Sequence, residues 1–173
     1  MARMDVMDAV VKVMEDEGVE VAFGVPGAAI LPLYKAMSGS DQIRHYSVRH
    51  EEGGTHAADG YTRVTGKVGI NIGTSGPAGT NMITGLYTCM ADSIPQICIT
   101  GQAPTDVLHK EAFQSVDIVE IAKPVTKWAV QVREPGQLVW TFREAFRIAQ
   151  EGRPGPVLID LPLDVQTLSL IHI

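Results

Sequence analysis

The stretch Val68-Gly69-Ile70-Asn71-Ile72-Gly73-Thr74-Ser75-Gly76-Pro77-Ala78-Gly79-Thr80-Asn81 decides the fold. Val68 to Ile72 is a mostly apolar run of strand length, Gly73 to Gly79 is glycine-rich, and Thr80 to Ala91 has the pattern of a helix. Ile94 to Thr100 is strand-like again. A strand, a helix and a second strand in that order give parallel pairing through a helical crossover.

The same alternation runs outward in both directions. Asp5 to Glu17 carries Val6, Ala9, Val10, Val13 and Met14 at helical spacing, with Gly18 placed to stop it. Val19 to Phe23 predicts a strand, ended by Gly24-Val25-Pro26-Gly27. Ala28 to Met37 predicts a helix with Pro32 in its first turns, Gln42 to Val48 a strand, and Glu52 to Val64 a helix. Downstream, Pro104 to Val116 is mixed and reads as a functional loop. Val125 to Val132 predicts a strand, Gln137 to Gln150 a helix, and Val157 to Leu161 a last strand after Gly152-Arg153-Pro154-Gly155-Pro156. Six strands separated mostly by helices imply an α/β fold, an open six-stranded and mostly parallel sheet with helices on both faces. Residues 1–167 are expected to form one domain. Residues 168–173 are expected to be a non-native tail, because one reverse translation, CTG TCT CTT ATA CAC ATC, matches a transposon end used in sequencing libraries.

Composition narrows the function classes. The chain has 173 residues, 45% hydrophobic and 20% charged, which suits an ordinary folded domain. Its net charge is −6 and no basic cluster stands out, which argues against a nucleic-acid-binding face. Cys89 and Cys98 have no metal-like spacing and read as small buried hydrophobes. No apolar run reaches the length of a membrane span, and Met1-Ala2-Arg3-Met4-Asp5 is charged too early for a secretory signal, so the cytoplasm is the expected compartment.

In an open parallel sheet, ligands bind outside the carboxyl ends of the strands. Four segments follow predicted strands there: Gly24 to Ala28, Arg49-His50-Glu51, Gly73 to Asn81, and Gly101-Gln102-Ala103-Pro104. The spacing G-x-x-G-x-x-G from Gly73 to Gly79 is neither the dinucleotide fingerprint nor a Walker loop, and suits a tight turn as well as a ligand cradle. Glu51 stands where a strand ends and a helix begins. It reads either as an acid favoured by the helix dipole or as a carboxyl poised for proton traffic. His50 and His56 lack the partners of a metal site and read as structural or solvated.

Beyond these local readings, the chain resembles the N-terminal, pyrimidine-binding domain of thiamine-diphosphate enzymes of the acetolactate synthase group. The resemblance spans about Arg3 to Val165. It is carried by Ala22-Phe23-Gly24-Val25-Pro26-Gly27, Arg49-His50-Glu51, Ala58-Asp59-Gly60-Tyr61, Thr74-Ser75-Gly76-Pro77, Asp92-Ser93-Ile94-Pro95, Thr100-Gly101-Gln102, Ala112-Phe113-Gln114 and Gly152 to Pro156. Within the group, Gly76-Pro77-Ala78-Gly79-Thr80, Gly101-Gln102-Ala103-Pro104 and Leu108 to Gln114 with Ala122-Lys123-Pro124-Val125 resemble the glyoxylate carboligases (tartronate-semialdehyde synthases). One departure matters: the best-known glyoxylate carboligases carry valine where this chain has Glu51, the acid of the acetolactate synthases.

The resemblance implies roles. Glu51 would hydrogen-bond N1′ of the cofactor's aminopyrimidine and serve as the catalytic acid, while the cofactor supplies the carbanion chemistry. Pro26, Thr74, Pro77, Asn81 and Gln102 would line the pyrimidine pocket, Gly27, Ala28, Phe113 and Gln114 the substrate side, and Arg153 matches an arginine that contacts FAD in flavin-containing members. A separate local reading has Arg153 capping a helix. The implied reaction joins two glyoxylates to tartronate semialdehyde with loss of carbon dioxide. The alternatives are acetolactate synthesis from pyruvate and a non-catalytic cofactor-binding member. The resemblance further implies Mg²⁺ bound through a Gly-Asp-Gly…Asn motif of another domain, a small 2-oxo acid substrate, and a homodimer or homotetramer. No Gly-Asp-Gly occurs in this chain, so it is expected to be a fragment of a longer enzyme and inactive by itself.

Overall fold

The computed structural model describes residues 3–108, 110–167 and 169–172. His109 in the predicted loop, and Leu168 and Ile173 in the predicted tail, lie outside the described residues. The strands are β1 (Arg3–Asp5), β2 (Val21–Gly24), β3 (Arg44–Ser47), β4 (Gly69–Gly73), β5 (Gln96–Gln102), β6 (Trp128–Gln131), β7 (Pro156–Pro162) and β8 (Ser169–His172). The helices are α1 (Val6–Asp16), α2 (Leu31–Met37), α3 (Glu51–Thr65), α4 (Pro77–Asp92), α5 (Ile118–Ala122), α6 (Leu138–Gln150) and α7 (Leu163–Thr167).

Six strands form one sheet in the order β3-β2-β4-β5-β7-β6, and every pairing in it is parallel. The sequence pattern had left room for an antiparallel neighbour; none is present in that sheet. β1 and β8 form a separate antiparallel pair, which the sequence analysis did not anticipate.

One face of the sheet is covered by α1, α2 and α6, the other by α3, α4 and α5. The first face is oily: Ile70 and Ile72, Ile97 and Ile99, and Val157, Ile159 and Leu161 meet the α1 stripe Val6, Val10, Val13 and Met14. α6 adds Leu138, Phe142, Ala145, Phe146 and Ala149, all at helical spacing and buried. Burying a large apolar side chain of this kind contributes about 1.5–3 kcal/mol, so this face carries much of the stability.

Two helices begin earlier than the pattern suggested, and both reasons are local. α3 starts at Glu51 because the His50 ring caps it, Nδ1 accepting from the Glu52 amide at 3.3 Å. α4 starts at Pro77 because a proline in the first turn has no amide to leave unpaired and a φ already suited to the helix. The order of the strands sets where a ligand belongs. From β2 the chain steps to one side, to β3, and then returns to β4 on the other side of β2. The crevice above the carboxyl ends of β2 and β4 is thus the topological switch point.

Candidate functional site

Four loop segments converge on that switch point. β2 ends in Gly24, and Val25 N donates to the Ile72 carbonyl of β4 at 3.1 Å, tying the first loop to the neighbouring strand end. Beyond it, Ala29 N donates to Thr74 Oγ1 at 3.2 Å. Gly27 passes so close to Thr74 that an added Cβ would stand 2.5 Å from Thr74 Cβ. Pro26, Gly27 and Ala28 are held as a rim above β4, with Pro26 and Ala28 exposed.

Glu51 comes in from the other face, as the first residue of α3. It is half-buried, and Asn81 Nδ2 on α4 donates to its Oε2 at 2.9 Å. Among the described residues Oε1 has no hydrogen-bond partner. The floor beneath is Gly73, where a Cβ would lie 3.3 Å from Glu51 Cγ and 2.5 Å from the Met82 methyl, so a side chain here would crowd the acid and displace Met82. Tyr34 lies close by. Its hydroxyl meets His45 Nε2 at 3.1 Å and donates to the Ile72 carbonyl at 3.4 Å. Burial and then the nearby Glu51 charge raise the Tyr34 phenol above its ordinary value, and burial lowers His45.

The loop from 104 to 117 closes one side. Gly76 has φ of +60°, and an added Cβ there would lie 2.6 Å from the Gln114 carbonyl oxygen, so Gln114 rests directly on the turn before α4. Phe113 beside it is 88% exposed and makes up part of the outer rim. Pro77 is exposed at the start of α4, one helical turn before Asn81.

Gly27, Glu51, Thr74, Asn81 and Gln114 are therefore brought together, with Pro26, Ala28, Pro77 and Phe113 around them. Two predicted residues stand apart. Gln102 is buried at the end of β5 with its amide turned inward: Nε2 donates to the Val116 carbonyl at 2.8 Å and Asp160 Oδ2 at 3.2 Å, and Oε1 accepts from Ala103 N. Arg153 precedes β7 and lies at the opposite edge of the sheet. Its guanidinium donates to Ser93 Oγ and to the carbonyls of Met90 and Ala91, capping the end of α4. The helix-capping reading of Arg153 is the one this geometry matches.

Two residues that sequence reasoning passed over also bear on the site, Asn71 in β4 and Asp160 in β7. Each is a lone polar side chain in an apolar strand, fully buried on the face that carries α3 and α4. That interruption of an oily run was the available signal. The histidines behave as expected, His50 as a cap and His56 exposed beside Glu52 at 3.8 Å. Cys89 and Cys98 are buried free thiols, and burial pushes Cys98 up to about 12. Among the described residues no grouping of three or more His, Cys, Asp or Glu could hold a metal ion, and no helix is long and apolar enough to cross a membrane.

A half-buried carboxyl with one free oxygen thus stands over Gly73 at the switch point of a parallel sheet, where open α/β sheets bind their ligands. Comparison with known proteins agrees. Residues 4–121 match the family described as thiamine pyrophosphate enzyme, N-terminal TPP binding domain, and the chain belongs to that family.

Particular relatives carry the comparison further. The glyoxylate carboligase of Escherichia coli O157:H7 is 57% identical over 171 residues, 98% of this chain and 29% of that protein. A "Probable acetolactate synthase large subunit" of Methanococcus aeolicus is 50% identical over 167 residues, 96% of this chain and 28% of that protein. The acetolactate synthase of Arthrospira platensis is 48% identical over 168 residues, 95% and 29% respectively. The chain thus spans less than a third of the length of these relatives.

Proposed function

We propose that this chain is the pyrimidine-holding part of a thiamine-diphosphate-dependent carboligase that joins two glyoxylates to tartronate semialdehyde with release of carbon dioxide. The observation that carries the cofactor assignment is the Glu51 carboxyl, gripped at Oε2 by Asn81 and free at Oε1 above Gly73. When bound, thiamine diphosphate supplies a carbon nucleophile that stabilises the charge left by decarboxylation. Glu51, through Oε1, would be the residue to hydrogen-bond a ring nitrogen of the cofactor and pass a proton to or from it. Asn81 keeps the carboxyl from swinging away, and Gly73 and Thr74 set the depth at which a flat ring can lie.

The choice of glyoxylate is supported by the Ala78-Gly79 order in the turn, by the loop from Leu108 to Gln114, and by the glyoxylate carboligase relative. A second reading, acetolactate synthesis from pyruvate, has the acid at position 51 in its favour. In either case the exposed rim of Pro26, Ala28, Pro77 and Phe113 is one wall of a site that a second subunit completes, in a homodimer or homotetramer. Mg²⁺ and FAD enter no step drawn from this chain.

The test is turnover by the whole enzyme that carries this segment, with glyoxylate and pyruvate compared. We expect glyoxylate to be consumed with carbon dioxide release, and Glu51→Gln to lower kcat by about 10²-fold or more. Pyruvate turnover without glyoxylate turnover would establish the second reading. Undiminished kcat in the Glu51→Gln enzyme would remove the proton role.

A further inference from the structure

Asn71 occupies the middle of β4, between Ile70 and Ile72, and is fully buried beneath α3. Strands covered on both faces favour apolar residues throughout, and a valine or isoleucine here would have no polar group to satisfy. Asn71 instead reaches the start of α3. Its Nδ2 donates to the Glu51 carbonyl oxygen at 3.0 Å and to Thr55 Oγ1 at 2.8 Å. Thr55 Oγ1 donates in turn to the same Glu51 carbonyl at 2.9 Å.

The other end of the amide is left without a partner. Asn71 Oδ1 is buried and unpaired, wedged against Gly54, where any Cβ would run into it. Turning the amide over would only set oxygen against oxygen at the Glu51 carbonyl. A buried group with an unpaired acceptor contributes little net hydrogen-bond stability, so what Asn71 supplies is geometry.

A second buried amide repeats the pattern one turn along. Gln96 Nε2 donates to the Thr55 carbonyl at 3.3 Å and contacts Cys98 Sγ, while its Oε1 accepts from Cys89 Sγ at 2.8 Å. The carbonyls of Glu51 and Thr55 are thus gripped from below by side chains of β4 and β5, and the Glu51 carboxyl is gripped from the side by Asn81.

We propose that Asn71 is a positioning residue for Glu51: from β4 its amide fixes the height and rotation of the first turn of α3, and through it where the carboxyl stands relative to Gly73 and Asn81. The proposal rests on the reading of Glu51 as the acid of the site.

The experiment uses NMR of side-chain amides together with backbone hydrogen exchange on the 173-residue chain. In Asn71→Ala the Asn81 side-chain resonances should shift, as they should in Glu51→Gln, where the partner of the Asn81 amide is altered directly. Backbone exchange at residues 51–55 should accelerate at least about tenfold while that of α6 changes less than about twofold. Unmoved Asn81 resonances with uniform acceleration across the chain would make Asn71 a packing residue and overturn the proposal. Should Asn71→Ala fail to fold, Asn71→Leu removes the amide that holds the Glu51 carbonyl while keeping nearly the same volume, and the same two outcomes decide. In the whole enzyme, Asn71→Ala should lower kcat at least about tenfold with little change in KM. Full activity in Glu51→Gln would end the reading of Glu51 without touching the NMR result, and an unchanged NMR result would end the positioning role without touching Glu51.

Discussion

Asp160→Asn should remove a distinct component of the pH dependence of stability. Asp160 is fully buried in β7, and among the described residues no lysine or arginine pairs with it. Its carboxyl accepts from Thr100 Oγ1 at 2.7 Å, Gln131 Nε2 at 2.9 Å and Gln102 Nε2 at 3.2 Å. Burial pushes it from its ordinary 3.8 up to about 6; the three donors pull it partly back, and the Asp117 charge adds a small upward push. The folded chain therefore holds this proton more tightly than the unfolded chain. The extra stability is fully present below about pH 4 and is lost as the pH rises through about 6. At about 1.4 kcal/mol for each tenfold change in proton affinity, the gap comes to about 3 kcal/mol. Urea unfolding at pH 4 and pH 7, on either side of the isoelectric point near 5.3, measures it. Relative to Asp160→Asn, the unsubstituted chain should lose roughly 2 kcal/mol between the two pH values, less than the full gap because the unfolded carboxyl is already more than half ionised at pH 4. Parallel pH profiles for the two proteins would refute the reasoning, because they would mean that the buried carboxyl titrates alike folded and unfolded.

Two smaller perturbations test other parts of the site. Gly76→Ala puts a side chain at φ +60° and against the Gln114 carbonyl; it should cost about 1–2 kcal/mol and expose the 110–117 segment to proteolysis, while an unchanged digestion pattern would show that Gln114 does not rest there. Arg153→Ala frees the end of α4 and should lower the melting temperature by a few degrees, about 1 kcal/mol, with FAD binding by the whole enzyme unchanged; weaker FAD binding would restore the flavin contact that the resemblance implied.

How much of this was readable in the sequence depended on distance along the chain. Each strand of the parallel sheet and each long helix announced itself through local periodicity, and Glu51 through its place between a strand and a helix. α5 and α7, five residues each, are too short to show a period. The partners of buried polar residues are remote. Asn71 is 16 residues from Thr55, and Thr100 is 60 from Asp160, so neither could be matched before the strands were aligned. Gln102 shows the same dependence on remote partners: the resemblance implied a place in the pocket, and in the structure Asp160, 58 residues on, draws its amide inward. Arg153 is a different case. It precedes its strand while Pro26, Glu51 and Thr74 follow theirs, and chain direction alone puts it at the far edge of a parallel sheet.

The alternation of side chains along the central strands separates holding the fold together from holding the site. Ile70 and Ile72 in β4, Ile97 and Ile99 in β5, and Ile159 and Leu161 in β7 point to the oily side, where removing volume costs stability. Asn71 in β4, Gln96, Thr100 and Gln102 in β5, and Asp160 in β7 point the other way, under the helices whose N-terminal halves carry Glu51 and Asn81. Because the period of a strand is two, neighbouring residues belong to different tasks, and a one-residue slip in any pairing would exchange them. The oily side fixes the register. That register is what lets an amide in the middle of β4 reach the carbonyl of a glutamate at the end of a different strand, and so sets the height of a carboxyl that no residue of β4 could itself provide.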